Sequence, residues 1–383
     1  MSDRSVVVLG GDYGALAVAG RLALDGHHVV LWEAPSSQGA GVSSSKRTRL
    51  TLSGVGGEAV ATIATATSDP FEALAAGDVL LTCAPPHAQE TLAGLVLPLV
   101  EPRHTLVLLS GGLSSLAHAK WLRDRGRVDL PTLVTSDTAP FLAYGLAPDR
   151  LRVTAVAANV GFGVFPSCRT DAAMAVLEDL FPGARAHAHV VAAALATLGP
   201  FLRAPALLMS IGITGRPRPG ASLFDDAFTP AVARVAEALD GERLALAAAL
   251  GLELPTAAES LHAWGLGPRG DLWSAVNGSF ALTQTPDADA RQAGWLADDA
   301  TFGLRPWVEL GEQLGVPMHL AGSLLALRDA AVEPDRRHPG WSLDDLGIAG
   351  MSSAALRDFL VTGSDELQPE GDEMENRDAG GTS

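Results

Sequence analysis

The stretch VVVLGGDYGALAVAG, residues 6 to 20, places small residues where a backbone turn would meet the pyrophosphate of a dinucleotide. In the fingerprint G-x-G-x-x-G/A the first glycine makes the tight turn, the second lets backbone approach the pyrophosphate, and the third lets the helix pack on the strand. Those places are held by Gly10, Asp12 and Ala15. Gly11 and Gly14 keep the turn flexible, and the amides of Tyr13 and Gly14 are expected near the pyrophosphate. Glu33, 23 residues past Gly10, ends a second strand-like run and is the expected acceptor for the adenosine ribose hydroxyls, which favours NAD over NADP. Asp12 is the anomaly. Two unit charges about 4 Å apart at an effective dielectric near 20 interact by roughly 4 kcal/mol, or about three decades of affinity. Its side chain can turn to solvent, cap the helix that starts near Tyr13, or be balanced by a cation. A nucleotide fold that has lost its dinucleotide is the competing reading.

Other residues are capable of chemistry. Pro85 and His87, in TCAPPHAQE, follow a strand-like run in a loop near any nicotinamide; His87 reads first as a helix-start residue and second as a proton carrier. The glycines of LSGGLSSLA, residues 109 to 117, fit a place beneath the nicotinamide ribose or a plain strand-to-helix turn. Asp298 and Asp299 are adjacent, so one is expected to face a cleft and the other to point away. Asp225 and Asp226, before Thr229 and Pro230, read as helix-start acids. His187 and His189 form H-x-H without other ligands nearby and read as a surface connection, while His262 and His319 read as core or boundary histidines. No metal site is expected. Among the tryptophans, Trp264, Trp273, Trp295 and Trp307 are expected to pack a core, with one available as a substrate wall.

These residues need elements to position them. Strand-like runs at 5–9, 28–33, 78–83, 105–109, 132–135 and 151–157 alternate with helix-like segments, the first of them at 14–25. That alternation predicts an α/β fold with a doubly wound, Rossmann-type parallel sheet over residues 1–185. From about residue 186 Ala/Leu-rich helical periodicity takes over, predicting an all-α C-terminal domain over 186–363. Residues 364–383 carry seven acids against one arginine and are expected to be a disordered acidic tail.

Composition narrows the partners. With 383 residues, 47% of them hydrophobic, there is material for two cores. A net charge of −17 leaves no basic face for nucleic acid. Cys83 and Cys168 are too few for a disulfide framework and are expected to be buried. No run of 18 apolar residues suggests a membrane span, and the expected location is cytoplasmic.

Three segments resemble the opine dehydrogenases, the octopine and nopaline enzymes. They are GGDYGALAVAGRLALDGHHVVLWE, LFDDAFTPAVARVAEALDGERLALAAALGL (residues 223 to 252) and WLADDATFGLRPWVELGEQLGVP (residues 295 to 317). The resemblance spans roughly residues 5 to 360. It implies NAD as cofactor and reductive condensation of an amino acid with a 2-oxo acid between the two domains. It also implies a substrate-facing Asp at Asp299, in an acidic pair followed by a Gly-Leu-x-Pro turn. Helical domains of this kind commonly pair, so a homodimer is one option and the oligomeric state stays open. In such enzymes a His works with that Asp, but the matching stretch here is GPFLRAPALLMS, with Leu202, Arg203 and Ala204 in the place of the imidazole. Arg cannot exchange a proton near neutral pH. Arg203 is instead expected to pair with Asp299 or to clamp a substrate carboxylate. The alternative reading is a repurposed, non-redox homologue: a lyase, a cyclase or a small-molecule binding protein.

Overall fold

The computed structural model describes residues 4–34, 48–214, 222–284, 298–332 and 339–364. Trp295, the start of the third family-like segment and the acidic tail beyond Ser364 lie outside the described residues. Twelve strands are present among those described: β1 (Ser5–Leu9), β2 (His28–Trp32), β3 (Arg49–Gly54), β4 (Ala59–Thr62), β5 (Thr65–Thr67), β6 (Val79–Thr82), β7 (Thr105–Leu108), β8 (Thr132–Ser136), β9 (Phe141–Ala147), β10 (Arg150–Val156), β11 (Gly161–Phe165) and β12 (Arg185–Ala186).

Eight of them form one sheet in the order β12-β11-β8-β7-β6-β1-β2-β5. Every neighbouring pair is parallel except β8 and β11. The chain enters at β1, moves outward through β2 and returns on the other side of β1 as β6. That reversal opens a crevice at the carboxyl ends of β1 and β6, where ligands of such sheets bind. Val6 and Val8 of β1 join one apolar core and Val7 and Leu9 the other, because alternate side chains of a strand point to opposite faces. Both faces are therefore covered, as a doubly wound sheet requires.

The run expected at 151–157 is a strand, β10, but it does not join that sheet. It lies in a second sheet, in the order β4-β3-β10-β9. This sheet packs on α1 (Tyr13–Leu24): Leu52 of β3 lies against Gly20, and the Tyr13 ring lies against Gly145 of β9. The remaining helices of the first half are α2 (Pro70–Ala75), α3 (Pro86–Val96), α4 (Ser114–Asp124) and α5 (Thr170–Leu180).

Beyond β12 the described chain is helical: α6 (Val190–Ala196), α7 (Gly199–Met209), α8 (Pro230–Ala249), α9 (Ala257–Ala263), α10 (Leu272–Asn277), α11 (Arg305–Leu314), α12 (His319–Ala331) and α13 (Ser353–Thr362), with short helical turns between. Thr229 caps α8 and Pro230 occupies its first turn. Asp226, the expected helix-start acid, accepts a hydrogen bond from the Ser222 amide at 3.1 Å. Buried Arg243 on α8 pairs with Asp240 and donates to the Leu195 carbonyl, tying α8 to α6.

Val190–Met209 is, by length and composition, apolar enough to cross a membrane, which corrects the expectation that no such stretch exists. It is mostly buried inside the protein, breaks between α6 and α7, and carries Arg203. The expected turn at Gly303–Pro306 is also absent. A π-helical turn, Asp299–Leu304, runs straight into α11. Such turns are rare and occur frequently at functional sites.

Candidate active site

The turn after β1 is built around Asp12. Gly10 has φ +121°, a conformation open to glycine and strained for other residues. Asp12 is the N-cap of α1, and its Oδ1 accepts from the amides of Gly14 (2.8 Å) and Ala15 (3.0 Å). Of the three fates open to this side chain, capping is the observed one. The amides at the head of α1 that would meet a phosphate already hold an anion belonging to the protein. Desolvation raises the Asp12 pKa, and the hydrogen bonds to Ala15 and Gly14 partly offset the rise.

Glu33 follows β2, is buried, and its carboxylate lies over Gly11, where a Cβ would collide with Oε1. The Glu33 carboxylate and the missing side chain at Gly11 thus fit each other.

The loop fits a nucleotide on one condition, that Asp12 leaves the amides. Giving up an N-cap costs about 1 kcal/mol. Holding two charges about 4 Å apart costs roughly 4 kcal/mol. Displacing the carboxylate is the cheaper course.

From this crevice a cavity of about 330 Å³ extends toward the helical half. Its floor is the ends of the parallel strands: Cys83 and Pro85 after β6, Ser110 and Gly112 after β7, and Asp137 after β8. Burial, followed by the Asp12 charge, pushes the Cys83 thiol well up. Cys83 is only partly buried and Cys168 is exposed, contrary to the expectation that both are buried. Trp264 of the helical half lines the cavity, whereas Trp307 is buried in the core and Trp273 is partly exposed.

The opposite wall carries the acidic pair. The Asp299 carboxylate accepts two parallel bonds from Arg203, Nε to Oδ2 and Nη2 to Oδ1, both at 2.7 Å. α7 can bring Arg203 this close because Gly303 of the π-helical turn has no Cβ to strike Pro200. Desolvation raises the Asp299 pKa, the charge and bonds of Arg203 lower it, and Asp298 adds a smaller upward push.

Asp298 lines the same cavity, so the expectation that only one of the pair faces the cleft is corrected. Its carboxylate holds His87 Nδ1 at 2.8 and 2.9 Å, and Oδ1 also accepts from the His87 amide at 3.3 Å. His87 is half exposed at the head of α3, and its bond to Asp298 raises its pKa against the opposing effect of burial. The two acids do diverge, but toward two different basic side chains, His87 and Arg203. An imidazole paired with a carboxylate is therefore present after all, formed by residues 211 positions apart.

The other histidines are arranged differently from expectation. His187 and His189 are buried, not a surface connection. His187 Nε2 lies 2.9 Å from Asp137 Oδ2, which Arg185 also engages at 2.6 Å, while Asp137 Oδ1 accepts from the Gly161 amide. This cluster joins β8, β11 and β12. His262 and His319, expected at the core or its boundary, are exposed. No group of three or more metal-capable side chains occurs among the described residues.

Comparison with known proteins follows the same outline. Residues 186–332 match the family described as NAD/NADP octopine/nopaline dehydrogenase, alpha-helical domain. The opine dehydrogenase of Arthrobacter sp. (strain 1C) is 24% identical over 359 residues, covering 93% of this chain and 99% of that protein. Among solved structures, octopine dehydrogenase with NADH and L-arginine superposes with a TM-score of 0.68 at 16% identity, covering 95% of this chain and 99% of that one. Yersinopine dehydrogenase with NADP+ gives 0.65 at 16% identity, covering 94% and 98%. A ketopantoate reductase fold from Ralstonia solanacearum MolK2 gives 0.57 at 18% identity, covering 86% and 98%.

Proposed function

We infer that this chain, a nicotinamide-dependent oxidoreductase of the opine dehydrogenase family, condenses an amino acid with a 2-oxo acid and reduces the imine in the cavity between its two halves. Residues 1–185 are the coenzyme half in this reading and 186–363 the substrate half. The observation that carries it is the wall itself: Arg203, Asp299 and Asp298 line one cavity at the carboxyl ends of parallel strands, Arg203 and Asp299 as a bidentate pair and Asp298 holding the imidazole of His87 behind it.

Each group has a definite task. Glu33 accepts from ribose hydroxyls and repels a 2′-phosphate, so NADH is taken over NADPH. The turn from Gly10 to Ala15 holds the pyrophosphate once Asp12 has released the Gly14 and Ala15 amides. Pro85 and His87 border the nicotinamide end. Arg203, oriented by Asp299, presents a cation to the carboxylate of the 2-oxo acid, since a guanidinium suits planar carboxylate recognition. When bound, the coenzyme supplies the hydride that turns the imine carbon into a saturated one.

The test is a matrix of 2-oxo acids against amino acids, following NADH oxidation and product mass, with NADPH in parallel. Turnover of at least one pair with NADH, and weaker turnover with NADPH, is expected. NADH binding without turnover of any pair, joined to conversion of some substrate without redox change, would instead establish the repurposed, non-redox reading that the Asp12 cap favours.

A further inference from the structure

We propose that His87, oriented by Asp298 across the junction of the two halves, is the proton carrier of this site and takes the place vacated where Arg203 stands. This deepens the reading above and rests on it.

Three observations converge. First, Arg203 occupies the position beside Asp299 and has no proton to exchange near neutral pH. The condensation still requires protons to move. Second, Asp298 engages His87 through Nδ1, which leaves Nε2 as the nitrogen that gives and takes a proton. A carboxylate on one nitrogen fixes the ring and favours the imidazolium, the arrangement that makes an imidazole an effective acid and base. Third, the residues next to His87 reach the cavity: Asp298, which holds the imidazole, and Pro86, which precedes it in the chain, both line it, and half-exposed His87 can be recharged from solvent. Asp298 is the charged group that acts on His87, with Asp299 and Arg203 next along the wall.

The proton balance closes. The substrate ammonium gives one proton to neutral His87, and the freed nitrogen lone pair forms the C–N bond while the carbonyl π pair moves to oxygen. His87 returns that proton to the oxygen, giving a carbinolamine. It then carries a second proton from nitrogen to the hydroxyl, the C–O bond breaks, water leaves, and the nitrogen lone pair closes the iminium. Two protons have gone from nitrogen to oxygen, and His87 ends as it began. Asp298 is a positioning residue throughout.

The experiment compares wild type with His87→Gln, His87→Ala and Asp298→Asn, using a 2-oxo acid and amino acid pair that wild type turns over with NADH. His87→Gln should lose at least a hundredfold in kcat, with a far smaller change in the Kd for NADH. Imidazole added to His87→Ala should restore a measurable part of the rate, which a merely structural role would not allow. Asp298→Asn should move the His87-controlled limb of the pH–rate profile toward lower pH, because the raised imidazole loses its carboxylate. Histidine NMR titration without coenzyme or substrate should show the same acidward shift of His87. Retention of kcat within about threefold in His87→Gln, with the limb in place and no rescue by imidazole, overturns the role of His87 while leaving the reductive reading intact. Wild type that oxidises NADH with no pair removes that reading and this role together.

Discussion

The two halves hold their acids on different terms. In the opening turn Asp12 is held by backbone amides, Gly14 and Ala15, and by no cation among its described hydrogen bonds. On the π-helical wall Asp298 and Asp299 are held by basic side chains, His87 and Arg203. Amides that serve one anion serve another equally well, so the first carboxylate can be exchanged for a phosphate. A carboxylate matched to a guanidinium in a buried setting cannot leave without stranding a charge. The coenzyme side is thus exchangeable and the substrate side committed.

Removing Arg203 probes the committed side and should have the largest effect. Arg203→Ala strands Asp299, and losing one member of a buried pair costs about 3–5 kcal/mol. Because Arg203 is itself about a third exposed, the loss should fall at the lower end of that range. Urea unfolding measures it, and the double variant Arg203→Ala/Asp299→Ala should recover much of the loss. An additive double variant would show that the two side chains are not coupled.

Buried histidines without a carboxylate sharpen the contrast with His87. Burial lowers His118 to about 4, and lowers His189 to about 4 with help from neighbouring positive charge. Their neutral forms are favoured by folding, so the stability they contribute is complete above about pH 6.5 and disappears as pH falls toward 4. At 1.36 kcal/mol per unit that is on the order of 3 kcal/mol each. The pair at His87 runs the other way: its raised pKa gives stability that is complete below 6.5 and is lost as pH rises through the raised value. Thermal unfolding from pH 4 to 9 should show the acid loss in wild type, and His118→Phe should reduce it.

Gly11→Ala touches the coenzyme side alone. The added Cβ displaces the Glu33 carboxylate, the far end of a flexible side chain, so little stability is at stake. NADH affinity should fall about tenfold, roughly the 1.4 kcal/mol of one good hydrogen bond, with the melting temperature nearly unchanged. An unaltered Kd would separate Glu33 from the nucleotide.

Much of the architecture was legible because apolar runs and glycine turns report local structure. The β1–α1–β2 unit lies within a residue of its expected bounds. The second sheet was not legible: RLTLSG and AVAT are short and rich in small and polar residues, and they become strands by pairing with each other, by the pairing of β3 with β10, and by packing on α1. At the site, the Arg203–Asp299 contact was expected from the resemblance. The His87–Asp298 bond was not foreseen, since no periodicity links residues 211 positions apart; only a proton-carrier role for His87 was weighed, as its second reading. Its one sequence signal was an imidazole at a helix start beyond a parallel strand. The burial of His187 was hidden for the same reason, because Asp137, which it contacts, is 50 residues away.

The exchangeable acid is tested most directly by calorimetric titration of NADH into wild type and Asp12→Asn, a variant that keeps an N-cap and removes the charge. Asp12→Asn should bind tighter by up to about fivefold, the roughly 1 kcal/mol that displacing the carboxylate costs. Wild-type binding should tighten as pH falls through the raised Asp12 pKa, while binding to the variant should not respond there. Equal affinities at every pH, or no heat from either protein at several millimolar NADH, would contradict the account.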